Sequence, residues 1–220
     1  MISDLHSPTR PVTLMVLELE IRLRVGNDEY MPVEECGNMI FMTLAYSQFT
    51  DNVEYLEKHY KILKQWTTYL IDFGLIPATQ GNTTEVRGLI IVSTDDFAGP
   101  LANQTNLALK AILGIRAMGE IASLTKNDKD AKEFMKTSED YMQKWEKYTF
   151  EENSTHAKLA YQMNSSWGIL PELSSLTRGS LYNAYADDLL GLGLFPDHVR
   201  SKQDLWYYKR TGNNLTHLQL

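Results

Sequence analysis

The residues with the most chemistry to offer stand ahead of two apolar runs. Glu34 and Glu35 lie in NDEYMPVEECGN, and Asp95 and Asp96 in STDDFAGPLANQTN. Paired carboxylates at one mouth are what hydrolysis by general acid and base requires, one of them holding a proton near neutrality through burial or like-charge crowding. Three amides, Asn103, Gln104 and Asn106, follow the second pair. Pro100 suits helix initiation, so these amides are expected in the first turns of an otherwise apolar helix, where capping needs one such residue and not three. Amides lining a cleft can hydrogen-bond an amino acid or a sugar; a buried polar network between helices uses the same groups. The carboxylates also have a plainer use. Near helix N-termini they satisfy orphan N–H groups and complement the dipole, worth about 0.3–1 kcal/mol each. Capping accounts for any one of the four, and their recurrence ahead of successive helices is what points to a shared site.

The remaining candidates offer less. Cys36 follows two glutamates that disfavour its thiolate, with no histidine near in sequence, so a structural thiol is expected. The five histidines lack metal-ligand spacing, and neither a metal site nor a cofactor is expected. Trp66, Trp145, Tyr141 and Tyr148 read as packing rather than as a sugar platform. Asp187 and Asp188 in YNAYADDLL fall within a helix, one expected toward solvent and the other toward a third mouth. The chain has no glycine-rich phosphate loop and no serine-centred elbow.

These groups sit in a chain of 220 residues, 43% hydrophobic and 22% charged, proportions that suit a globular fold with one substantial core. The formal charge of -7 without a basic patch argues against a nucleic-acid partner. No apolar run approaches the roughly 20 residues a bilayer-spanning helix needs, so no membrane partner is expected. Asn-x-Ser/Thr triplets occur at Asn82, Asn103, Asn153, Asn164 and Asn214. With 12 Asn and 31 Ser/Thr in 220 residues, chance supplies about two, so the excess suggests a secretory history. MISDLHSPTR, in contrast, lacks the basic start and apolar stretch of a signal peptide, so the chain is expected either not to be exported or to have lost its true beginning.

Helices are the elements that must position the site. Val12 to Val25 alternates briefly and suggests a strand, but no strong period-2 series competes over most of the chain. MIFMTLAY is apolar on every face, and after the Thr50-Asp51 break Val53, Leu56, Tyr60, Leu63 and Leu70 recur at helical spacing opposite lysines. The phrase then repeats. LALKAILGIRAMGEIASL is apolar almost all round, TKNDKD turns the chain, and Phe134, Ser138, Tyr141, Trp145 and Tyr148 form the next amphipathic stripe. A weaker third copy begins at LYNAYADDLLGLGL, with its partner around His198 to Tyr208. A helix apolar all round has neighbours on every side, while an amphipathic one covers it from outside. The expected fold is all-α: antiparallel helical hairpins with inner and outer layers, as part of an (α/α)6 toroid whose loops converge at one end. In that layout Asn103 lies inside a turn, and its triplet is expected to stay unmodified, leaving Asn82, Asn153, Asn164 and Asn214 as the glycosylation candidates.

NDEYMPVEECGNMIFMTLAYSQ, YLEKHYKILKQWTTYLIDFGLIPATQ and STDDFAGPLANQTNLALKAILGIRAMGEIA together resemble the fungal glutaminase A family, as does LYNAYADDLLGLGLFP. The resemblance covers most of Gly26 to Pro196. It implies a secreted hydrolase releasing ammonia from L-glutamine, and a central domain of six helical hairpins like those of glycosidase toroids. GNTTEVRGLIIV (about 81–92) and LPELSSLTRGS (about 170–180) interrupt the family pattern, and residues 1–25 and 210–220 depart from it. These segments are expected to be foreign, for instance unremoved intron sequence. Residues 26–209 then make a partial six-hairpin domain, about three hairpins of six, missing the remainder of the toroid and expected to be inactive alone. The resemblance transfers no catalytic residue, so Glu34, Glu35, Asp95 and Asp96 rest on position and chemistry, with Asn103, Gln104 and Asn106 as substrate-binding candidates. A small-molecule substrate, glutamine or a sugar, is the expected partner. Two other functions stay open at this stage: a glycoside hydrolase, since a toroid with carboxylates at its mouth suits sugars equally, and a non-catalytic degenerate fragment.

Overall fold

The computed structural model describes residues 32–77, 102–150, 154, 156–161 and 181–211, with side chains through 205. Helix α1 (Pro32–Thr50) opens on a proline, whose missing N–H costs nothing at a first turn, with Glu34 and Glu35 next to it. It stops where Asp51 takes a left-handed φ of 52°. Asn52 then caps α2 (Val53–Phe73), its Oδ1 accepting from the Tyr55 N–H at 3.0 Å. The second hairpin has the same joint 75 positions later. Helix α3 (Thr105–Leu124) ends before Lys126 at φ 62°, and Asn127 opens α4 (Asp128–Thr149). The backbone bond closing the turn repeats as well: Asn52 N–H to Ser47 O at 3.1 Å, Asn127 N–H to Ala122 O at 2.8 Å.

The inner pair, α1 and α3, run parallel, because Glu34 meets Lys110 while Gly37 meets Gly114 further along. The outer pair, α2 and α4, are parallel too, joined at one end by Tyr60 and Lys64 on Asp130 and at the other by the Tyr141 hydroxyl on Ile71 O at 2.9 Å. Every residue of α3 from Thr105 to Ala122 is buried except the half-buried Arg116 and Glu120. It is the central helix of the bundle. Leu56, Leu63 and Leu70 of α2 and Phe134 and Trp145 of α4 supply the outer side of the core, as their spacing predicts; Met142, outside the expected stripe, joins them, while Tyr148 at the end of that stripe is exposed. Cys36 is part of the same core.

The third hairpin is short: a 3-10 turn (Tyr182–Ala184), α5 (Tyr185–Leu190) and α6 (Asp197–Thr211). It packs on the central helix and reaches the far end of α1, where Gln48 Nε2 donates to Leu190 O at 3.1 Å. Asp187 does not turn to a third mouth. It is buried and accepts from the Leu194 N–H at 2.8 Å, pinning the α5–α6 connection, while Asp188 lies outside in a two-point pair with Arg200. Among the described residues there is no strand, only a bridge between Gln104 and Ala160, and no helix is long and apolar enough to cross a membrane. The short alternating stretch at Val12 to Val25 and both interrupting segments lie outside the described residues.

Candidate functional site at the N-terminal ends of the inner helices

Polar groups gather where α1 and α3 begin. Glu34 is the third residue of α1, and its side chain turns inward rather than back to its own helix N-terminus. It forms an ion pair with Lys110 of α3, and Asn38, one turn further along α1, joins both: Lys110 Nζ donates to Asn38 Oδ1 at 2.8 Å, and Asn38 Nδ2 to Glu34 Oε1 at 3.4 Å. Burial pushes the Glu34 carboxyl above its ordinary value, with Lys110 pulling the other way. Its second oxygen, Oε2, is buried without a hydrogen-bond partner among the described residues.

Lys110 reaches this place because α1 leaves room for it. A Cβ on Gly37 would lie 2.6 Å from Lys110 Cγ, so the lysine stem runs directly over the glycine. One turn before Lys110 on the same face of α3 is Asn106. Its Oδ1 accepts from the Asn183 N–H at 3.2 Å, and the Asn183 side chain returns a bond to Asn106 O at 2.9 Å. Asn183, Asn106, Lys110, Glu34 and Asn38 thus make a polar seam across all three hairpins.

A strap crosses the start of α3. Thr105 N–H donates to Leu159 O at 3.0 Å, Tyr161 N–H to Asn103 O at 3.1 Å, and Asn103 N–H to Pro77 O at 2.7 Å. These bonds hold Asn103 at a φ of 59° and place it, with Gln104, before the helix rather than in its first turns. Only Asn106 of the three amides lies inside α3, because the strap, not Pro100, sets where the helix begins. Gln104 Nε2, Asn106 Nδ2 and the Tyr161 hydroxyl are buried without partners among the described residues, like Glu34 Oε2. Burial also raises the Tyr161 hydroxyl pKa.

Glu34 and Glu35 do not converge: Glu34 is in the seam, while Glu35 points to solvent on another face of α1. Asp95, Asp96 and the triplets at Asn82, Asn153, Asn164 and Asn214 lie outside the described residues. Lys110, Asn38, Asn183 and Tyr161 escaped the sequence reading. The signal available for one of them was a single cation inside LALKAIL, a run whose other positions are all apolar. No group of three or more His, Cys, Asp or Glu among the described residues could hold a metal ion.

A family model described as the glutaminase A six helical-hairpin domain matches residues 22–216. The chain belongs to that family. Glutaminase A of Aspergillus oryzae is 44% identical across 83% of this chain and 24% of its own length. A protein of Arthroderma benhamiae named probable glutaminase is 33% identical across 81% of this chain and 25% of its own. The chain therefore spans about a quarter of the length of these curated relatives. The six-hairpin family accounts for the hairpin order seen here, inner helix then outer helix, passed through twice in full and once in shortened form.

Proposed function

We propose that this chain forms part of the substrate site of a glutaminase-type amide hydrolase, converting L-glutamine to L-glutamate and ammonia within the six-hairpin domain. The observation that carries the reading is the seam, a buried carboxyl held by Lys110 and Asn38, together with Glu34 Oε2, Gln104 Nε2 and Asn106 Nδ2, all buried without partners among the described residues. Gln104 Nε2 and Asn106 Nδ2 are suited to hold the oxygen of a carboxamide or a carboxylate. Water attacks the side-chain carbonyl carbon as the carbon–nitrogen bond breaks. One carboxyl takes the proton from water and another delivers one to the departing nitrogen. Glu34 suits the proton-accepting role, because burial raises its affinity for a proton while Lys110 and Asn38 hold the carboxylate in place. Asp95 and Asp96, just upstream of α3 in sequence, are proposed for the proton-donating role.

The same reading makes the substrate a small molecule, with neither nucleic acid nor membrane as partner, and places the protein outside the cell. The five Asn-x-Ser/Thr triplets support export, with Asn82, Asn153, Asn164 and Asn214 as the modified positions.

The test is a hybrid in which this chain replaces the matched quarter of the Aspergillus oryzae relative. The folded hybrid is expected to release ammonia from L-glutamine, and Glu34→Gln to lower kcat by about 10²-fold or more. The 220-residue chain alone is expected to show no turnover. A folded hybrid silent on glutamine, or active on glycosides instead, overturns the proposal.

A further inference from the structure

Helix α1 has the wrong surface for the outermost helix of a bundle. Met39, Met42, Tyr46 and Phe49 follow one another at helical spacing and are 39%, 57%, 47% and 78% exposed, with Glu35 at the head of the same line. Four large apolar side chains in a row on one face mark a contact surface rather than scattered surface hydrophobes.

The repeat says what that surface is for. The two inter-helix joints correspond residue for residue at a displacement of 75: Asp51 with Lys126, both left-handed, and Asn52 with Asn127, each opening the outer helix. At that displacement Glu35, Met39, Met42 and Tyr46 of α1 are the counterparts of Lys110, Gly114, Ala117 and Ile121 of α3. Lys110 and Gly114 are where α3 receives α1, through Glu34 and Gly37, and Ala117 and Ile121 continue that line fully buried. The exposed line of α1 is therefore the position at which an inner helix receives the inner helix before it.

We propose that the Glu35–Met39–Met42–Tyr46 face is the seat of a further inner helix, parallel to α1 and supplied by another hairpin of the same six-hairpin domain. The inference draws on the repeat and on membership of the family, and is independent of any catalytic role for the seam. Its chemistry follows by analogy with the observed seat. On α3 a lysine answers a carboxylate on the incoming helix; on α1 the sign is reversed, so the incoming helix carries a lysine or arginine one turn from its start, opposite Glu35. Methionine replaces the close-contact Gly114, so the two helices stand further apart, with the flexible thioethers of Met39 and Met42 filling the gap. Repeat folds bury each unit against its neighbours in this manner, and an unfilled seat leaves an apolar end face.

Methionine oxidation by hydrogen peroxide, read peptide by peptide by mass spectrometry, tests the proposal in the 220-residue chain and in the hybrid above. In the chain alone, Met39 and Met42 are expected to oxidise about tenfold or more faster than the buried Met118 and Met142. In the hybrid, both are expected to slow to the rate of Met118. Glu35→Lys is expected to lower the melting temperature of the hybrid by clearly more than that of the isolated chain, where only the charge at the start of α1 is affected. Undiminished oxidation in the hybrid, or a hybrid that fails to fold around this chain, overturns the proposal. So does protection of Met39 and Met42 in the isolated chain, whether light scattering then shows a dimer, which makes a second copy the occupant, or a monomer. Protection does not depend on turnover, so an inactive hybrid with a filled seat contradicts the proposed activity alone.

Discussion

The Lys110 ammonium pairs with the Glu34 carboxylate between two parallel helices, with only 7% and 9% of the two side chains exposed. A pair so deeply placed is defined less by its own attraction than by the cost of taking either charge out of water. Breaking it by removing one partner leaves an uncompensated buried charge, whereas replacing both with apolar groups of similar volume is tolerated.

Lys110→Met is accordingly expected to cost about 3–5 kcal/mol in denaturant unfolding at neutral pH. The double variant Lys110→Met with Glu34→Leu is expected to recover most of that loss. A single variant within 1 kcal/mol of the parent, on the order of an exposed pair, removes the case for a buried one.

The Glu34 carboxyl also sets a pH dependence. Its folded pKa is raised by burial, so between its unfolded and folded values the folded chain holds a proton that the unfolded chain has lost. Stability from this group therefore falls as pH rises through that window and levels off above it. The difference in unfolding free energy between the parent chain and Glu34→Gln is expected to follow that slope. An unchanging difference, or one that grows with pH, sinks the assignment.

Gly37 is expected to be intolerant of a methyl group although its backbone is ordinary helix. Its Cβ would meet Lys110 Cγ at 2.6 Å and Cδ at 3.1 Å, in the middle of a stem whose ammonium is already committed to Glu34 and Asn38. Gly37→Ala should cost about 1–3 kcal/mol through overpacking. Adding Lys110→Ala should relieve the clash but not the stranded carboxylate. Additive losses in the double variant, measured by urea unfolding, count against that geometry.

The outer helices have a polar tie of their own. Asp130 accepts from the Tyr60 hydroxyl at 2.8 Å and from Lys64 at 2.6 Å, and the Lys64 bond holds its carboxyl below the ordinary range. A depressed carboxylate contributes stability above its unfolded pKa and loses it as pH falls through the folded one. Asp130→Asn is expected to cost about 1 kcal/mol at pH 7, the pair being partly exposed, with the difference vanishing in acid. A difference that persists unchanged at low pH contradicts the ion pair as its source.

The outer helices were legible in the sequence because their environment is one-sided. Leu56, Leu63 and Leu70 face the core while the lysines between them face water, and that contrast has a period that can be read without coordinates. The joints were legible for a related reason: Thr50-Asp51 and TKNDKD break the pattern where single residues take left-handed backbone. The start of α3 was not. Pro100 advertised a helix opening, yet the strap from Lys158 to Tyr161 moved it to Thr105 and left Asn103 and Gln104 ahead of it.

For the site, local spacing determined that Glu34 and Glu35 and the amides Asn103, Gln104 and Asn106 would stand near the starts of the inner helices, since those residues precede or open apolar runs whatever packs around them. Which carboxylate enters the interior was decided only by tertiary structure. Glu34 and Glu35 are adjacent and chemically alike, but one helical step turns a side chain by about 100°. The position of α3, brought close by Gly37 and Gly114, makes the first a buried partner of Lys110 and leaves the second at the head of an open apolar face. Lys110 itself read as a lone polar interruption, because its partner lies 76 residues away and no local pattern encodes that distance.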